Sequence, residues 1–176
     1  MTRREPRVLV AYGTKNGSTG EIAVRVAGVL TEAGYATTVR PAGEVAESLS
    51  AYDAVVLGGA LYAGRWHRDA RRFARRARRA PGTRPVWLFS SGPLDGSASD
   101  RDIPPVPGVR RIADRLDARE HVAFGGRLDE SARGRLARMI VRSGKGGDFR
   151  DFTAITAWAE RIAHDLATVR ARREEA

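Results

Sequence analysis

Continuous apolar runs alternate along this chain with stretches in which apolar residues return every three or four positions. The runs Val8-Leu9-Val10-Ala11-Tyr12, Ala36-Thr37-Thr38-Val39-Arg40, Ala54-Val55-Val56-Leu57-Gly58, Pro85-Val86-Trp87-Leu88-Phe89-Ser90 and His121-Val122-Ala123-Phe124-Gly125-Gly126 predict five strands. The first and third are apolar at every position, as strands buried on both faces of a parallel sheet require. Ile22, Val26, Val29 and Leu30 predict a helix that stops at Gly34, and Ala70, Phe73, Ala74 and Ala77 predict a second whose other face is arginine. A short helix is expected from Val109 to Ala113, another from Ala132 to Val141, and a last one along the stripe Ile155, Trp158, Ile162, Leu166, Val169, capped by Thr153. Ser91 to Pro107, rich in glycine, serine and proline, predicts a long surface loop. With no repeat and no linker, residues 1–176 read as one domain, with 171–176 as a frayed tail.

Strand and helix in alternation predict an α/β fold of right-handed crossovers, with the parallel sheet covered on both sides. Such sheets bind ligands at the carboxyl ends of their strands, here the loops beginning at Gly13, Gly59 and Ser90. The first of these, Thr14-Lys15-Asn16-Gly17-Ser18-Thr19, lies between a buried strand and a helix start, where unpaired N–H groups and the positive end of the helix dipole meet. Hydroxyl and amide side chains and a permissive glycine suit this loop to a phosphate. The competing reading is a capped helix start, with Ser18 or Thr19 as the cap. Gly13, Gly17 and Gly20 match neither the dinucleotide fingerprint nor a P-loop, and Arg40 stands where a nicotinamide dinucleotide site would place an acid.

The 31 basic residues, of which only Lys15 and Lys145 are lysine, give a formal charge of +10. That sign disfavours a soluble shuttle that docks on basic redox proteins. Without cysteine there is no disulfide, thiolate metal site or cysteine nucleophile, so redox chemistry would need a cofactor. The charged start has no long apolar stretch behind it, which predicts a cytoplasmic protein. Arg71, Arg72, Arg75, Arg76, Arg78 and Arg79 read first as a solvated helix face. The alternative for that face is peripheral contact with an anionic membrane at its inner side; no aromatic or helix-turn-helix pattern points to nucleic acid. His67, beside the second loop, is the candidate proton donor to a bound ligand, against the plainer role of helix cap. His121 and His164 receive no role, and no metal-ligand spacing joins the three histidines.

The loop Ala11 to Thr19 resembles the first loop of the flavodoxin family. Gly58-Gly59-Ala60-Leu61-Tyr62-Ala63-Gly64-Arg65-Trp66-His67 and the stretch from Met139-Ile140 through Ser143-Gly144-Lys145-Gly146-Gly147 to Trp158-Ala159 resemble the flavodoxin-type, menaquinone-dependent protoporphyrinogen oxidases. The resemblance implies a three-layer sandwich with strand order 2-1-3-4-5 and non-covalent flavin mononucleotide (FMN). It also implies an oxidoreductase of haem biosynthesis that moves electrons from an organic substrate to a quinone or other redox partner. Carried over residue by residue, Thr14, Lys15, Asn16, Gly17, Ser18 and Thr19 would hold the FMN phosphate. Ala60, Leu61, Tyr62, Ala63, Gly64 and Trp66, with Ser90, Ser91 and Gly92, would flank the isoalloxazine ring, Tyr62 and Trp66 offering aromatic faces. Arg142 and Lys145 would meet a headgroup or a propionate. The chain departs from the oxidase pattern at Tyr62 and Ala63, where that pattern has an arginine and an aromatic. The alternatives are a plain electron carrier, a different FMN-dependent quinone reductase, or a binding domain without flavin.

Overall fold

A computed structural model describes residues 4–15, 17–80, 82–92, 103–128, 147–148 and 150–176. In chain order its elements are β1 (Arg7–Gly13), α1 (Ser18–Glu32), β2 (Ala36–Pro41), β3 (Ala54–Tyr62), β4 (Arg65–Trp66), α2 (Arg68–Arg79), β5 (Val86–Ser91), α3 (Pro107–Leu116), β6 (Glu120–Phe124), β7 (Arg127–Leu128), β8 (Gly147–Asp148) and α4 (Phe152–Glu174). β1 lies inside the sheet, with Val10 opposite Val39 of β2 on one side and Val56 of β3 on the other. β5 joins β3, and β6 joins β5. All four of these pairings are parallel, in the order β2-β1-β3-β5-β6, so the order expected from the resemblance is the order found. β4 adds a short antiparallel return on the end of β3, and β7 and β8 pair as a separate two-stranded ribbon.

The period of two along each strand splits the core into two layers. Val8, Val10, Val56, Trp87 and Phe89 face α1 and α4, whose buried stripes include Ile22, Val26, Leu30, Ile155, Trp158 and Ile162. Leu9, Ala11, Val55, Leu57 and Leu88 face α2 and α3 through Ala70, Phe73, Ala74 and Val109. Each fully buried large side chain contributes about 1.5–3 kcal/mol. Phe89, Phe124 and Trp158 meet pairwise at ring separations of 5.6–6.1 Å, tilted or edge to face. Trp158 donates to Glu120 across 2.9 Å, so its one polar atom is satisfied.

Several elements depart from expectation for local reasons. β3 does not stop at Gly58 but runs to Tyr62, because Ala63 and Gly64 both take positive φ (48° and 72°) and turn the chain into β4. That is the backbone of a two-residue type I′ hairpin turn. The region from Ala60 to Tyr62, expected as loop, is therefore strand. α4 is capped by Asp151, whose carboxylate accepts from the Ala154 N–H at 3.0 Å, and not by Thr153. The helix continues to Glu174, so residues 171–174 are helical and not a frayed tail. The helix expected from Ala132 to Val141, and residues 93–102 of the loop after β5, lie outside the described residues. Among the described residues no helix is long and apolar enough to cross a membrane.

Two adjacent glycines let the layers close on the middle of β3. A Cβ on Gly58 would stand 2.0 Å from the Phe89 ring, and one on Gly59 2.4 Å from the Trp66 ring. Gly58→Ala is expected to lose roughly 2–3 kcal/mol by overpacking, seen as a lower midpoint in urea. Gly28→Ala, where an added Cβ meets nothing within 4 Å, is expected to be neutral or mildly stabilising in the same measurement.

Candidate functional site

The parallel register sets the ends of β1, β3 and β5 side by side. Gly13 pairs with Gly59, Gly59 with Ser90, and Ala60 with Ser91. The three loops singled out in the sequence thus emerge at one edge. At that edge α1 begins after Gly17, whose φ of 83° carries the chain into the helix with no side-chain cap. Neither Ser18 nor Thr19 caps the helix; both are buried inside its first turn. Two loop amides are already engaged: Lys15 N–H donates to the Tyr62 hydroxyl at 2.9 Å, and Gly17 N–H to Thr14 Oγ1 at 3.2 Å. Among the described residues the N–H groups of Ser18, Thr19 and Gly20 have no acceptor, and Glu21 makes the first helical bond, to Gly17. Thr19 Oγ1 is buried without a hydrogen-bond partner among the described residues, as is Ser91 Oγ on the end of β5. An unmade hydrogen bond of this kind costs about 1–3 kcal/mol, so the edge presents polar groups that the described residues do not satisfy. A phosphate fits this set, since it accepts from helix-start amides and hydroxyls together. Asn16 lies outside the described residues.

The hairpin brings Tyr62 across to the same loop. Besides the bond to Lys15 N–H, its ring carries the Lys15 ammonium 5.4 Å from its centroid and meets the His67 ring edge-on at 6.3 Å. His67 is the N-cap of α2: its Nδ1 accepts from Asp69 N–H at 3.4 Å, and its own N–H donates to the Ala60 carbonyl at 2.9 Å. Burial lowers the His67 imidazole below its ordinary range; Asp69 opposes that, and Arg68, Lys15 and Arg71 reinforce it. The plainer role of helix cap is thus present, with the ring still beside Gly13 and the loop.

Trp66 sits elsewhere. It is 2% exposed and packed on Gly59, so its ring is part of the core and offers no aromatic face to a ligand. Its Nε1 donates to Ser90 Oγ at 2.8 Å, and Ser90 Oγ lies 2.8 Å from His121 Nε2. Ser90 is likewise buried, and beneath the edge these three form a chain that ties β4 through β5 to β6. His121 had no assigned role in the sequence. The only signal for it was register: it stands two residues from Ala123, the position opposite Ser90, and so on the same side of the sheet. Gly92 closes the edge, donating to the Phe124 carbonyl at 2.8 Å.

A carboxylate also stands in the first turn of α1, where it would repel an anion. Glu21 is held by Arg127 at 3.3 Å and by a short contact from Arg150. Arg150 is 5% exposed in its side chain, stacks on Phe152 and pairs with both oxygens of Asp148. The Arg150 guanidinium holds the Asp148 carboxyl down to about 2. Sequence reading missed this cluster, because its members are far apart in the chain and none belongs to a spaced motif.

Residues 9–146 match the family model described as "Flavodoxin domain". No curated protein matches the chain. Among solved structures, a cysteine-to-serine mutant of flavodoxin from Pseudomonas aeruginosa is 17% identical, with a TM-score of 0.60 over 92% of this chain and 99% of that one. Rubredoxin oxygen:oxidoreductase from Desulfovibrio gigas is 13% identical, with a TM-score of 0.63 over 93% of this chain and 37% of that one. A Fusobacterium nucleatum flavodoxin mutant bound to flavin mononucleotide is 15% identical, with a TM-score of 0.51 over 68% and 69%.

Burial holds His121 neutral in the fold, with its pKa lowered to about 4 from 6.5. Between those values the unfolded chain binds the extra proton, so stability is fully present above pH 6.5 and is lost as pH falls towards 4. The slope approaches about 1.4 kcal/mol per pH unit at its steepest. His121→Gln is expected to flatten the difference in urea midpoint between pH 7 and pH 4.5, while an unchanged slope would mean that His121 protonates freely in the native state.

Proposed function

Since the chain belongs to the flavodoxin domain family, we propose that it holds FMN non-covalently at the carboxyl edge of the sheet and passes electrons between an organic substrate and a quinone-type acceptor. What supports the cofactor most is the first turn of α1: three N–H groups without acceptors among the described residues, and the partnerless buried hydroxyl of Thr19. When bound, FMN supplies a redox centre able to exchange one or two electrons. The chain's own part is binding and orientation. Ser18, Thr19 and Gly20 give hydrogen bonds to the phosphate, with Thr14, Lys15, Asn16 and Gly17 shaping the loop around it. Tyr62 holds Lys15 in place from the hairpin, and Ala60 to Gly64 on one side with Ser91 and Gly92 on the other border the space for the ring. Ser90 and Trp66 support that border from beneath. His67 holds a proton beside the loop.

Protoporphyrinogen IX is the substrate we favour, and menaquinone the acceptor, on the resemblance of residues 58–67 and 139–159 to the oxidases named above. The exposed arginines of α2 then suit peripheral contact with anionic lipid on the cytoplasmic side, where a quinone is met. A plain electron carrier is the second reading. The family favours it, and the formal charge of +10 opposes docking on a basic partner.

The test is the visible spectrum of the purified full chain with FMN added, followed by turnover. A yellow protein is expected, and Ser18→Asp is expected to bleach it, because a carboxylate in the first turn of α1 repels the phosphate, with circular dichroism checking that the variant is folded. Oxidation of protoporphyrinogen with menaquinone supports the enzyme, and reduction only through a separate reductase supports the carrier. A colourless protein that ignores FMN overturns both.

A further inference from the structure

Glu21 is the one acid in the first turn of α1, the turn that also holds the buried Thr19 hydroxyl without a partner among the described residues. An acid in that place serves the helix without help, because its charge answers the positive end of the dipole. It serves a phosphate badly. The carboxylate and the phosphate would draw on the same end of the dipole at a separation of roughly one helical turn, about 5 Å, where like charges repel even in a wet site.

The chain brings two cations to this acid. Arg127, on β7, reaches Glu21 Oε1 at 3.3 Å, and Arg150 makes a short contact with Oε2. Arg150 is the more deeply committed. Its Nε and Nη2 donate to the two oxygens of Asp148 at 2.9 and 2.8 Å, its guanidinium lies 4.9 Å from the centroid of the Phe152 ring, and its side chain is 5% exposed. A planar guanidinium fixed by one carboxylate and one ring is oriented before it meets the second carboxylate.

These contacts would also serve as a plain tie between the β7–β8 ribbon and α1. Charge separates the two roles. Glu21 and Asp148 against Arg127 and Arg150 sum to zero, which leaves an incoming anion to the helix dipole alone. Without Arg150 the cluster stands at −1 beside the start of α1. Loss of a plain tie would weaken any flavin, with or without a phosphate; loss of charge control would weaken the phosphorylated one and would be repaired by removing the Glu21 charge.

On the FMN reading of this edge, we propose that Arg150 is a positioning residue for the cofactor phosphate: by holding Glu21 it removes a competing charge from the start of α1, and so sets the preference for a phosphorylated flavin over its dephosphorylated form.

The experiment is a fluorescence titration of the full chain with FMN and with riboflavin, with circular dichroism checking that each variant is folded. Arg150→Met is expected to weaken FMN at least roughly tenfold while shifting riboflavin by less than about threefold. Glu21→Gln, which leaves the cluster at +1, is expected to tighten FMN. The double variant Glu21→Gln/Arg150→Met returns the sum to zero and is expected to recover FMN to within about threefold of the unaltered chain, although the contact between the two is gone. Arg127→Gln makes the same change of charge from the more exposed of the two arginines, and is expected to weaken FMN in the same direction should Arg150→Met melt early. The proposal falls if Arg150→Met and Arg127→Gln bind FMN as tightly as the unaltered chain, if riboflavin weakens in parallel with FMN, or if Glu21→Gln fails to rescue Arg150→Met. Those three outcomes leave the cofactor reading standing; an unaltered chain that binds neither flavin overturns that reading and the role of Arg150 with it.

Discussion

α1 starts from a left-handed glycine with its first N–H groups turned to the end of a buried strand, and the arrangement at the sheet's carboxyl edge follows from that start. A helix of 15 residues cannot satisfy its own first turn. Most helices answer this with a side-chain cap, but the residue in the capping position is Gly17, and the hydroxyls that would serve, Ser18 and Thr19, are already inside the helix. The residual demand for acceptors is met neither by the hairpin nor by the loop among the described residues. Tyr62 and Thr14 are spent on Lys15 and Gly17, one position too early to help.

Electrostatics keeps that demand directed at an anion. Glu21, left alone in the first turn, would offset much of the helix dipole's attraction. Arg127 and Arg150, with Asp148 beside them, bring the side-chain charge of the cluster to zero, which leaves the helix dipole unopposed, and at the same time pin the β7–β8 ribbon to α1. Arg150 can be so deeply buried because Asp148, Glu21 and the Phe152 face surround its guanidinium. A buried cation with fewer partners would be costly.

The architecture was legible because the sheet is buried on both faces. Val8 to Tyr12 and Ala54 to Gly58 are apolar without interruption, which no half-exposed strand would show, and the helical stripes that cover them repeat at 3.6 residues. The place of the first loop at the carboxyl edge was legible for a different reason: it is local, and its polar residues are contiguous in the chain. What escaped depended on contacts distant in sequence or on backbone signs that side chains hide. Ala63 at positive φ made a hairpin where a loop was expected, and burial under that hairpin turned Trp66 from an expected aromatic wall into core. The Ser90–His121 contact and the Arg150 cluster join residues 31 and 129 positions apart, and only the fold brings them together.

The account stands on the claim that the start of α1 grips a phosphate. The most direct measurement compares FMN with riboflavin, which has the same ring and no phosphate, by fluorescence titration of the purified chain. Charge-assisted hydrogen bonds of about 1.5–3 kcal/mol each predict that FMN binds at least roughly a hundredfold more tightly. Equal affinity for the two, or binding of neither, would contradict it.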